Sequence, residues 1–160
     1  MLLREANIND ANAISLLISP LAEKYIIPDC TVEGAELLLS SMTTQAIENY
    51  ITSGYQYIVA MSGKQVVGVI GMKEHSHLYH LFVDIKYQRQ GLSTRLWETA
   101  KEKALLIGNI SEFTVNSTPS AQKIYPKLGF VPLFPDRKVR IRNGVKDIPM
   151  VLKLAYGEVS

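Results

Sequence analysis

The pattern of apolar and polar positions in the first third of the chain predicts a strand followed by helices. The opening segment LLREAN is a short candidate strand. Behind Asp10, a predicted N-cap, apolar residues recur at helical spacing: Ile14, Leu17, Ile18 and Leu21. Pro20 is expected to kink or end this helix, because proline has no N–H to donate. The segments GAELLLSSM and TTQAIENYI predict one broken helix or two short helices, with Thr43 or Thr44 as a cap.

After Gly54 the period of the apolar positions changes from helical to alternating. YQYIVAM and QVVGVIGMKE are extended segments separated by SGK, which is a hairpin signal. SHLYHLFVDI is a third extended segment. Residues 55–85 are therefore predicted to form a three-stranded antiparallel meander.

The second half of the chain returns to helices alternating with strands. The segment from Gly91 to Ile107 predicts a helix that Gly108 ends. One face of this helix is apolar and carries Leu92, Leu96, Ala100, Ala104 and Ile107. EFTVNS predicts a strand, and TPSAQKIYPKLGF predicts a short helix in which Pro126 indicates a kink or an early end. KVRIRNGVKDIPMVLKL predicts a hairpin, because its Asn-Gly pair at 143–144 suits a two-residue type I′ turn.

The order of these elements is β-α-α-β-β-β-α-β-α-β-β. It is typical of the α+β class, an α/β mixed sheet in which a central, mostly antiparallel sheet is flanked by helices. The predicted linkers are short, so residues 1–160 are expected to form a single domain.

Composition narrows the classes of function. The 160 residues are 47% hydrophobic and 20% charged, which is ordinary for a globular protein. A net charge of +2 is too mild to indicate nucleic acid, although it is compatible with an anionic small ligand. Cys30 is the single cysteine, which favours a cytoplasmic location. The N-terminus lacks the pattern of a signal peptide, and no apolar run has the length of a membrane span, so no membrane partner is expected.

One polar turn is a candidate anion-binding site. In LFVDIKYQRQGLSTRLW, an apolar strand ends at Asp84 and a helix begins after Gly91. The N-terminus of a helix presents unpaired N–H groups and partial positive charge, and glycine lets a ligand approach the backbone. Arg89 and Arg95 add full positive charge nearby. The turn lacks the P-loop and dinucleotide patterns, so backbone physics alone favours an ordinary connector.

Two motifs of the chain resemble the GNAT N-acetyltransferase superfamily. QRQGLS, from Gln88 to Ser93, is similar to the Q/R-x-x-G-x-G/A signature of that family. VNSTPSAQKIYPKLGF is similar to a later strand and helix of the family, with Y-x-x-L-G-F from Tyr125 to Phe130. The predicted order of elements also resembles the family over essentially the whole chain. The one departure is Ser93, which stands where the family has glycine or alanine but is nearly as small.

The resemblance implies that acetyl-CoA is the co-substrate. It implies that backbone N–H groups of the turn hold the pyrophosphate, namely those of Gln88, Arg89, Gln90, Gly91, Leu92, Ser93 and Thr94. It implies that pantetheine pairs with the backbone of the preceding strand, at Leu81, Phe82 and Val83, and that a backbone N–H near Val83 binds the oxyanion. Asn116 is expected to contact pantetheine or order the site, and Tyr125 to protonate the departing CoA thiolate. The alternatives are a strand-end turn residue at Asn116 and core packing at Tyr125.

The segment EHSHLYH supplies candidates for a general base, since a neutral amine must attack the thioester. Strict alternation predicts that His75, His77 and Tyr79 share one face of a strand, and that Glu74 and His80 share the other. A base or a water-ordering group is expected among Glu74, His77, Tyr79 and His80. The alternative for each is a hydrogen-bonded role in shaping the pocket. No metal site is predicted, because the segment lacks HExxH and a nearby cysteine.

The function that the resemblance implies is an acetyl-CoA-dependent N-acetyltransferase. The acetyl group would pass by direct attack to a primary amine of a small molecule or a peptide. The alternative is a non-catalytic acetyl-CoA-binding or regulatory module on the same fold. A nucleic-acid module is a third hypothesis, based on the basic residues Arg137, Lys138, Arg140, Arg142 and Lys146. It is disfavoured, because alternation explains them as the solvated face of a hairpin and no aromatic residues interleave with them.

The acceptor amine is not identified by the sequence. In the family, the acceptor pocket is built by the first helices, here roughly 20–45, and by the late hairpin near 135–147. Acidic residues in the first of these segments either attract a cationic amine or are surface charges, namely Glu23, Asp29, Glu33 and Glu36. Homodimers are common in the family, and the sequence leaves the oligomeric state open.

Overall fold

A computed structural model describes residues 1–134, 136 and 139–155. Its helices in these residues are α1 (Ala11–Tyr25), α2 (Val32–Ser40), α3 (Thr44–Thr52), α4 (Leu92–Ile107) and α5 (Ile124–Lys127). Its strands are β1 (Leu2–Glu5), β2 (Gln56–Ser62), β3 (Gln65–Lys73), β4 (His77–Val83), β5 (Glu112–Ser117), β6 (Val131–Pro132), β7 (Arg140–Arg142) and β8 (Val145–Lys153).

The strands form one mixed sheet in the order β1-β2-β3-β4-β5-β8-β6, and β7 pairs with β8. The pairing of β4 with β5 is parallel, and the other pairings are antiparallel. The predicted fold class, a mostly antiparallel mixed sheet flanked by helices, is confirmed. In the described part of the chain, none of the helices combines the length and the apolar character needed to cross a membrane.

Each face of the sheet is covered by a separate apolar core. On one face, α4 packs Trp97 against Phe113 of β5, with ring centroids 5.0 Å apart, and against Phe130. On the other face, α1 and α3 bury Ile14 and Ile47 against the sheet. The buried stripe of α4 differs from the predicted one at two positions. It includes Trp97, which the spacing did not indicate, and it excludes Ile107, which is 56% exposed. The two cores fix the helices on opposite sides of β4 and β5.

The start of α1 differs from the prediction. A short 3₁₀ turn at Ile8–Asp10 precedes the helix, and the side chain that caps it is Asn7, whose oxygen accepts from the Asn9 N–H. The Asp10 carboxylate instead accepts two hydrogen bonds from Arg4, at 2.8 and 2.9 Å, and one from the Asn7 N–H. These donors lower the pKa of Asp10. The carboxylate therefore ties β1 to the start of α1 rather than capping the helix.

Pro20 neither ends nor interrupts α1, which runs on to Tyr25. The buried residues Ile18 and Leu21 flank the proline, and their packing compensates for the missing backbone hydrogen bond. Downstream, the broken-helix prediction resolves into two helices. Their N-caps are Thr31 and Thr43, each of which accepts a hydrogen bond from a first-turn N–H.

The C-terminal part contains two short elements that the pattern did not resolve. The predicted helix after β5 becomes a 3₁₀ turn at Pro119–Ala121 and the four-residue α5. The two-residue strand β6 was not predicted, because it is too short for an alternating pattern. The type I′ turn is confirmed, since Asn143 and Gly144 both have positive φ, at 53° and 76°.

This turn lies against the start of α2. The Thr31 N–H donates to the Gly144 carbonyl over 3.0 Å. A Cβ built on Gly34 would overlap that same carbonyl, so only glycine fits there. The close approach fixes the β7–β8 hairpin relative to the first helices.

Candidate active site

Strands β4 and β5 form a fork that opens in the middle of the sheet. They pair only through His77 with Thr114 and through Leu78 with Val115. Beyond Val115 they separate, so from Tyr79 to Val83 the described residues leave one edge of β4 without a partner strand. Every second residue of β4 directs its N–H and C=O toward that open edge. The fork is thus a cleft bordered by the backbone of β4, toward which Leu81 and Val83 direct their N–H and C=O groups. The backbone groups of Phe82, which the resemblance also implied for this role, face β3 instead.

A bulge in β4 changes which side chains face this cleft. Opposite β3, Gly71 pairs with His80 but Met72 pairs with Leu78, which leaves Tyr79 as an extra residue. The rings of Tyr79 and His80 consequently lie on the same side of the sheet, with centroids 4.4 Å apart.

The alternation predicted for EHSHLYH is therefore wrong. Tyr79 and His80 do not face opposite sides, because the bulge shifts the pattern by one residue. Glu74 and His75 are not in a strand at all. Both lie in the turn between β3 and β4 with positive φ, at 54° and 63°. Glu74 is exposed there, outside the strand that leads to the fork.

The polar turn ends at the N-terminus of α4, as predicted. Arg89 and Gly91 both have positive φ, at 62° and 78°. A Cβ built on Gly91 would meet no atom within 4 Å, so the space in front of this residue is open. The first N–H bond of the helix is that of Arg95 to the Gly91 carbonyl, at 3.1 Å. The preceding N–H groups, those of Leu92, Ser93 and Thr94, have no helical partner and can bind an anion.

The two glutamine side chains of the turn, and that of Arg95 in α4, have other partners. Gln88 donates from Nε2 to the carbonyl of Val83 over 2.9 Å, and so ties the turn to the end of β4. Gln90 donates to the Lys86 carbonyl, and Arg95 reaches the Met1 carbonyl. The turn can therefore offer an anion its backbone N–H groups and the exposed side chain of Arg89.

Tyr125 packs into the apolar core on the α4 side of the sheet. It is 7% exposed and packs edge-on against Phe130, with ring centroids 5.8 Å apart. Burial raises the pKa of its hydroxyl. The phenol therefore keeps its proton at neutral pH. None of the hydrogen bonds recorded among the described residues uses this hydroxyl.

His77 lies at the closed end of the fork. Its Nδ1 forms a 2.8 Å hydrogen bond with the hydroxyl of Thr114 on β5. Burial lowers the pKa of His77, and the nearby charges of Lys73 and Arg142 lower it further. The imidazole is therefore neutral at physiological pH and can accept a proton.

Tyr79 and His80 belong to an aromatic cluster between β4 and α3. The Tyr79 hydroxyl donates to the Tyr50 hydroxyl over 3.2 Å, and Tyr50 donates to the Ser41 carbonyl. His80 Nδ1 is hydrogen-bonded to Tyr57 over 2.8 Å, and burial lowers the pKa of His80 to about 3. These contacts are those of residues that shape a pocket. His80 has no access to solvent for proton exchange, since it is 5% exposed.

A group of polar residues at the fork was missed from the sequence. Asp147 of β8 is 2% exposed and forms ion pairs with Arg140 (2.6 Å) and Arg142 (3.0 Å). Arg140 also donates from Nη2 to Oδ1 of Asn116 over 3.2 Å. The charged hairpin face is thus not simply solvated. The available signal was a lone acidic residue between the apolar positions of VKDIPM.

The remaining predicted residues are placed as follows. Asn116 is the residue of β5 directly beyond the last pair with β4, and so lies at the fork. The four acidic residues considered for a cationic acceptor are all exposed, namely Glu23, Asp29, Glu33 and Glu36. Arg137 and Lys138 of the basic stretch lie outside the described residues. In the part of the chain that the structure describes, no three His, Cys, Asp or Glu side chains come together as a metal site would need.

Comparison with known proteins identifies the family. A model of the Acetyltransferase (GNAT) domain matches residues 26–154 of the chain. The protein therefore belongs to the GNAT acetyltransferases, a family of acetyl-transfer enzymes. No curated protein sequence matches the chain.

Several solved structures share its fold. A GCN5-related N-acetyltransferase from Rhodopseudomonas palustris has a TM-score of 0.79 and 20% identity, with 96% of this chain and 95% of that one covered. The paiA N-acetyltransferase from Thermoplasma acidophilum, in complex with coenzyme A, has a TM-score of 0.75 and 16% identity, with coverage of 96% and 98%. An acetyltransferase of the GNAT family from Staphylococcus aureus has a TM-score of 0.71 and 19% identity, with coverage of 96% and 99%.

Proposed function

We propose that this protein uses acetyl-CoA to acetylate a primary amine by direct attack. The single observation that carries the proposal is the position of the fork. The open edge of β4 runs directly into the turn that ends at the N-terminus of α4. An extended, partly amide chain that ends in a pyrophosphate is the ligand that such a surface fits. The coenzyme A bound to the similar paiA N-acetyltransferase supports this ligand class.

The residues present fit acetyl-CoA. Backbone groups between Tyr79 and Val83 are free to pair with the amides of pantetheine, as an added strand pairs with a sheet edge. The N–H groups from Arg89 to Thr94 would hold the pyrophosphate, and the open space before Gly91 lets it approach. The Gln88 N–H, also expected in this role, donates instead to the Ile85 carbonyl over 3.4 Å. Asn116, fixed by Arg140 at the mouth of the fork, would orient the end of pantetheine.

Acetyl transfer needs three groups on the protein: a proton acceptor, a hydrogen-bond donor to the oxyanion and a proton donor. The amine must be neutral when it attacks the thioester, and His77 is a neutral imidazole at the fork that can take its proton, directly or through water. A backbone N–H of β4 near Val83 would stabilise the tetrahedral oxyanion. Tyr125, protonated at neutral pH, would donate its proton to the departing thiolate. Acetyl transfer then breaks the C–S bond and forms the C–N bond without a covalent intermediate on the enzyme.

Two measurements test this proposal. Acetyl-CoA at one hundred times its Kd should stabilise the fold by about 2.7 kcal/mol, seen as a rise in Tm. A screen of primary amines should then release CoA thiol in step with acetylated product. No rise in Tm would refute acetyl-CoA binding. A rise in Tm without thiol release from any amine would favour the non-catalytic acetyl-CoA-binding module.

A further inference from the structure

Two arginines of the last hairpin share one buried carboxylate, so the cluster has an excess of positive charge. Asp147 accepts one hydrogen bond from Nε of Arg140 and one from Nε of Arg142. One carboxylate cannot neutralise two guanidinium groups, so the cluster keeps a net charge of about +1. The arginine side chains are 43% and 50% exposed, which leaves the cluster accessible from outside.

The cluster lies at the open fork and not on a remote surface. Nη2 of Arg140 is 3.2 Å from Oδ1 of Asn116, the residue just beyond the last pair of β5 with β4. Arg142 shares the Asp147 carboxylate with Arg140, and its charge helps to lower the pKa of His77 on the other strand of the fork. The Arg140 guanidinium therefore reaches the fork, where the thioester and the acceptor would meet, and the shared carboxylate holds the Arg142 guanidinium beside it.

The terminal nitrogens of Arg142 remain available for a ligand. Its Nε is the atom that binds Asp147, and no hydrogen bond among the described residues uses its Nη1 or Nη2. Structural ion pairing alone would need one arginine for one carboxylate. A purely structural role does not explain why Arg142, a second and half-exposed arginine, is also bound to Asp147.

We propose that the acceptor amine carries an anionic group, a carboxylate or a phosphate, that binds the guanidinium groups of Arg140 and Arg142. The inference rests on the proposed function and names the substrate class of its acceptor side. Guanidinium groups bind both anions through paired hydrogen bonds. Asp147 holds the two arginines in place beforehand, so less side-chain entropy is lost when the acceptor binds. A purely cationic amine meets repulsion at the same point.

The test compares acceptors that differ only in the anionic group. Purified protein with saturating acetyl-CoA is assayed for CoA thiol release on α-amino acids, ω-amino carboxylates and aminoalkyl phosphates. Each is paired with an amine of the same carbon skeleton that lacks the anion. The anionic member of at least one series should have a kcat/KM about 10- to 100-fold higher than its partner. The series that shows this preference distinguishes carboxylate from phosphate.

Two substitutions assign the preference to the cluster. Arg142→Gln should reduce the ratio of the two kcat/KM values by about tenfold or more. Lys146→Gln removes the same charge from the opposite face of the hairpin and should leave that ratio as in the wild type, since Lys146 pairs with Ile141 and not with the arginines.

The outcomes separate this inference from the proposed function. A protein whose Tm does not rise with acetyl-CoA refutes the proposed function itself. If acetyl-CoA binds and at least one amine is acetylated, two results overturn the inference alone. One is turnover of the amines without an anion that equals or exceeds turnover of their anionic partners, and the other is an equal reduction of the kcat/KM ratio in Arg142→Gln and Lys146→Gln.

Discussion

At the scale of single residues, burial decides which protonation states the site can use. Tyr125 and His80 are both nearly inaccessible to solvent, at 7% and 5% exposure, and burial favours the neutral form of each. A buried phenol remains a proton donor, whereas a buried imidazole bound to Tyr57 is a fixed neutral group. The same physical effect thus favours Tyr125 as the acid and leaves His80 with a structural role.

Tyr125→Phe tests the general acid. The substitution removes one hydroxyl and keeps the ring that packs on Phe130, so we expect kcat to fall by about 10²-fold with little change in stability. The rise in Tm with acetyl-CoA should remain, because binding relies on backbone. The control Tyr25→Phe changes an exposed tyrosine at the end of α1 and should keep full activity. A fully active Tyr125→Phe protein would remove Tyr125 from the mechanism.

His80 should make the protein sensitive to acid. Its pKa is about 3 in the folded chain against about 6.5 when unfolded. As the pH falls below 6.5, the unfolded state takes up a proton that the folded state does not, so the free energy of unfolding falls by up to about 1.4 kcal/mol per pH unit.

Urea unfolding between pH 7 and 4.5 measures this effect. His80→Asn should reduce the slope of the free energy of unfolding against pH by close to the contribution of one proton, whatever the stability of the variant. Tyr57→Phe keeps the buried imidazole and should retain the slope, because burial and not the hydrogen bond lowers the pKa. An unchanged slope in His80→Asn would contradict this account.

At the scale of elements, the site is defined by irregularities in β4 and by the start of α4. The bulge at Tyr79 places two aromatic side chains on the α3 side of the sheet, while the early end of pairing with β5 frees backbone on the open edge. The positive φ of Arg89 and Gly91 then turns the chain so that α4 begins at the fork. The bulge, the end of strand pairing and the positive-φ turn lie within fifteen residues of one another, so β4, the turn and the start of α4 form one continuous surface.

Gly91→Ala tests the turn against a matched control. Gly91 and Gly63 both have positive φ, at 78° and 59°, and a Cβ on either would meet open space. Alanine at either position should cost about 1–2 kcal/mol of stability from backbone strain alone. Only Gly91→Ala should also weaken acetyl-CoA binding, by about tenfold in calorimetry, because its Cβ enters the space before the free N–H groups. Equal affinity in both variants would place the pyrophosphate elsewhere.

At the scale of the whole molecule, two segments that are distant in sequence meet and fix the last hairpin. The start of α2 and the β7–β8 turn are far apart in sequence, yet the Thr31 N–H binds the Gly144 carbonyl. This contact fixes the hairpin that carries Arg140 and Arg142. The position of the arginine pair at the fork therefore depends on the packing of an N-terminal helix.

Gly34→Ala tests this junction through the sign of its effect. Helix propensity alone predicts that alanine stabilises α2 by about 0.5–1 kcal/mol. The overlap of its Cβ with the Gly144 backbone should cost about 1–3 kcal/mol, so we expect net destabilisation in urea unfolding. A stabilised variant would show that the hairpin does not rest on α2.

The sequence by itself determined the elements and the cofactor-side motif. The stripe of α4, the meander, the type I′ turn at 143–144 and the turn around Gly91 are encoded by residue types at short spacing, which local physics reads directly. The resemblance of QRQGLS and Y-x-x-L-G-F to the GNAT family was likewise local, and the family is confirmed. Pro20 was misinterpreted because burial outweighed local preference. Asp10 occupies the predicted N-cap position of α1, but its carboxylate binds Arg4 instead of capping the helix.

Only the tertiary structure decided how the site is assembled. The bulge that puts Tyr79 beside His80 depends on the register of β4 with β3, and the pattern of apolar positions in EHSHLYH does not indicate it. The fork depends on where β4 and β5 stop pairing. The burial of Asp147 under two arginines depends on the antiparallel pairing of β8 with β5. Such features arise from contacts between residues far apart in sequence. Local spacing determines the elements, and long-range pairing determines which chemistry they bring together.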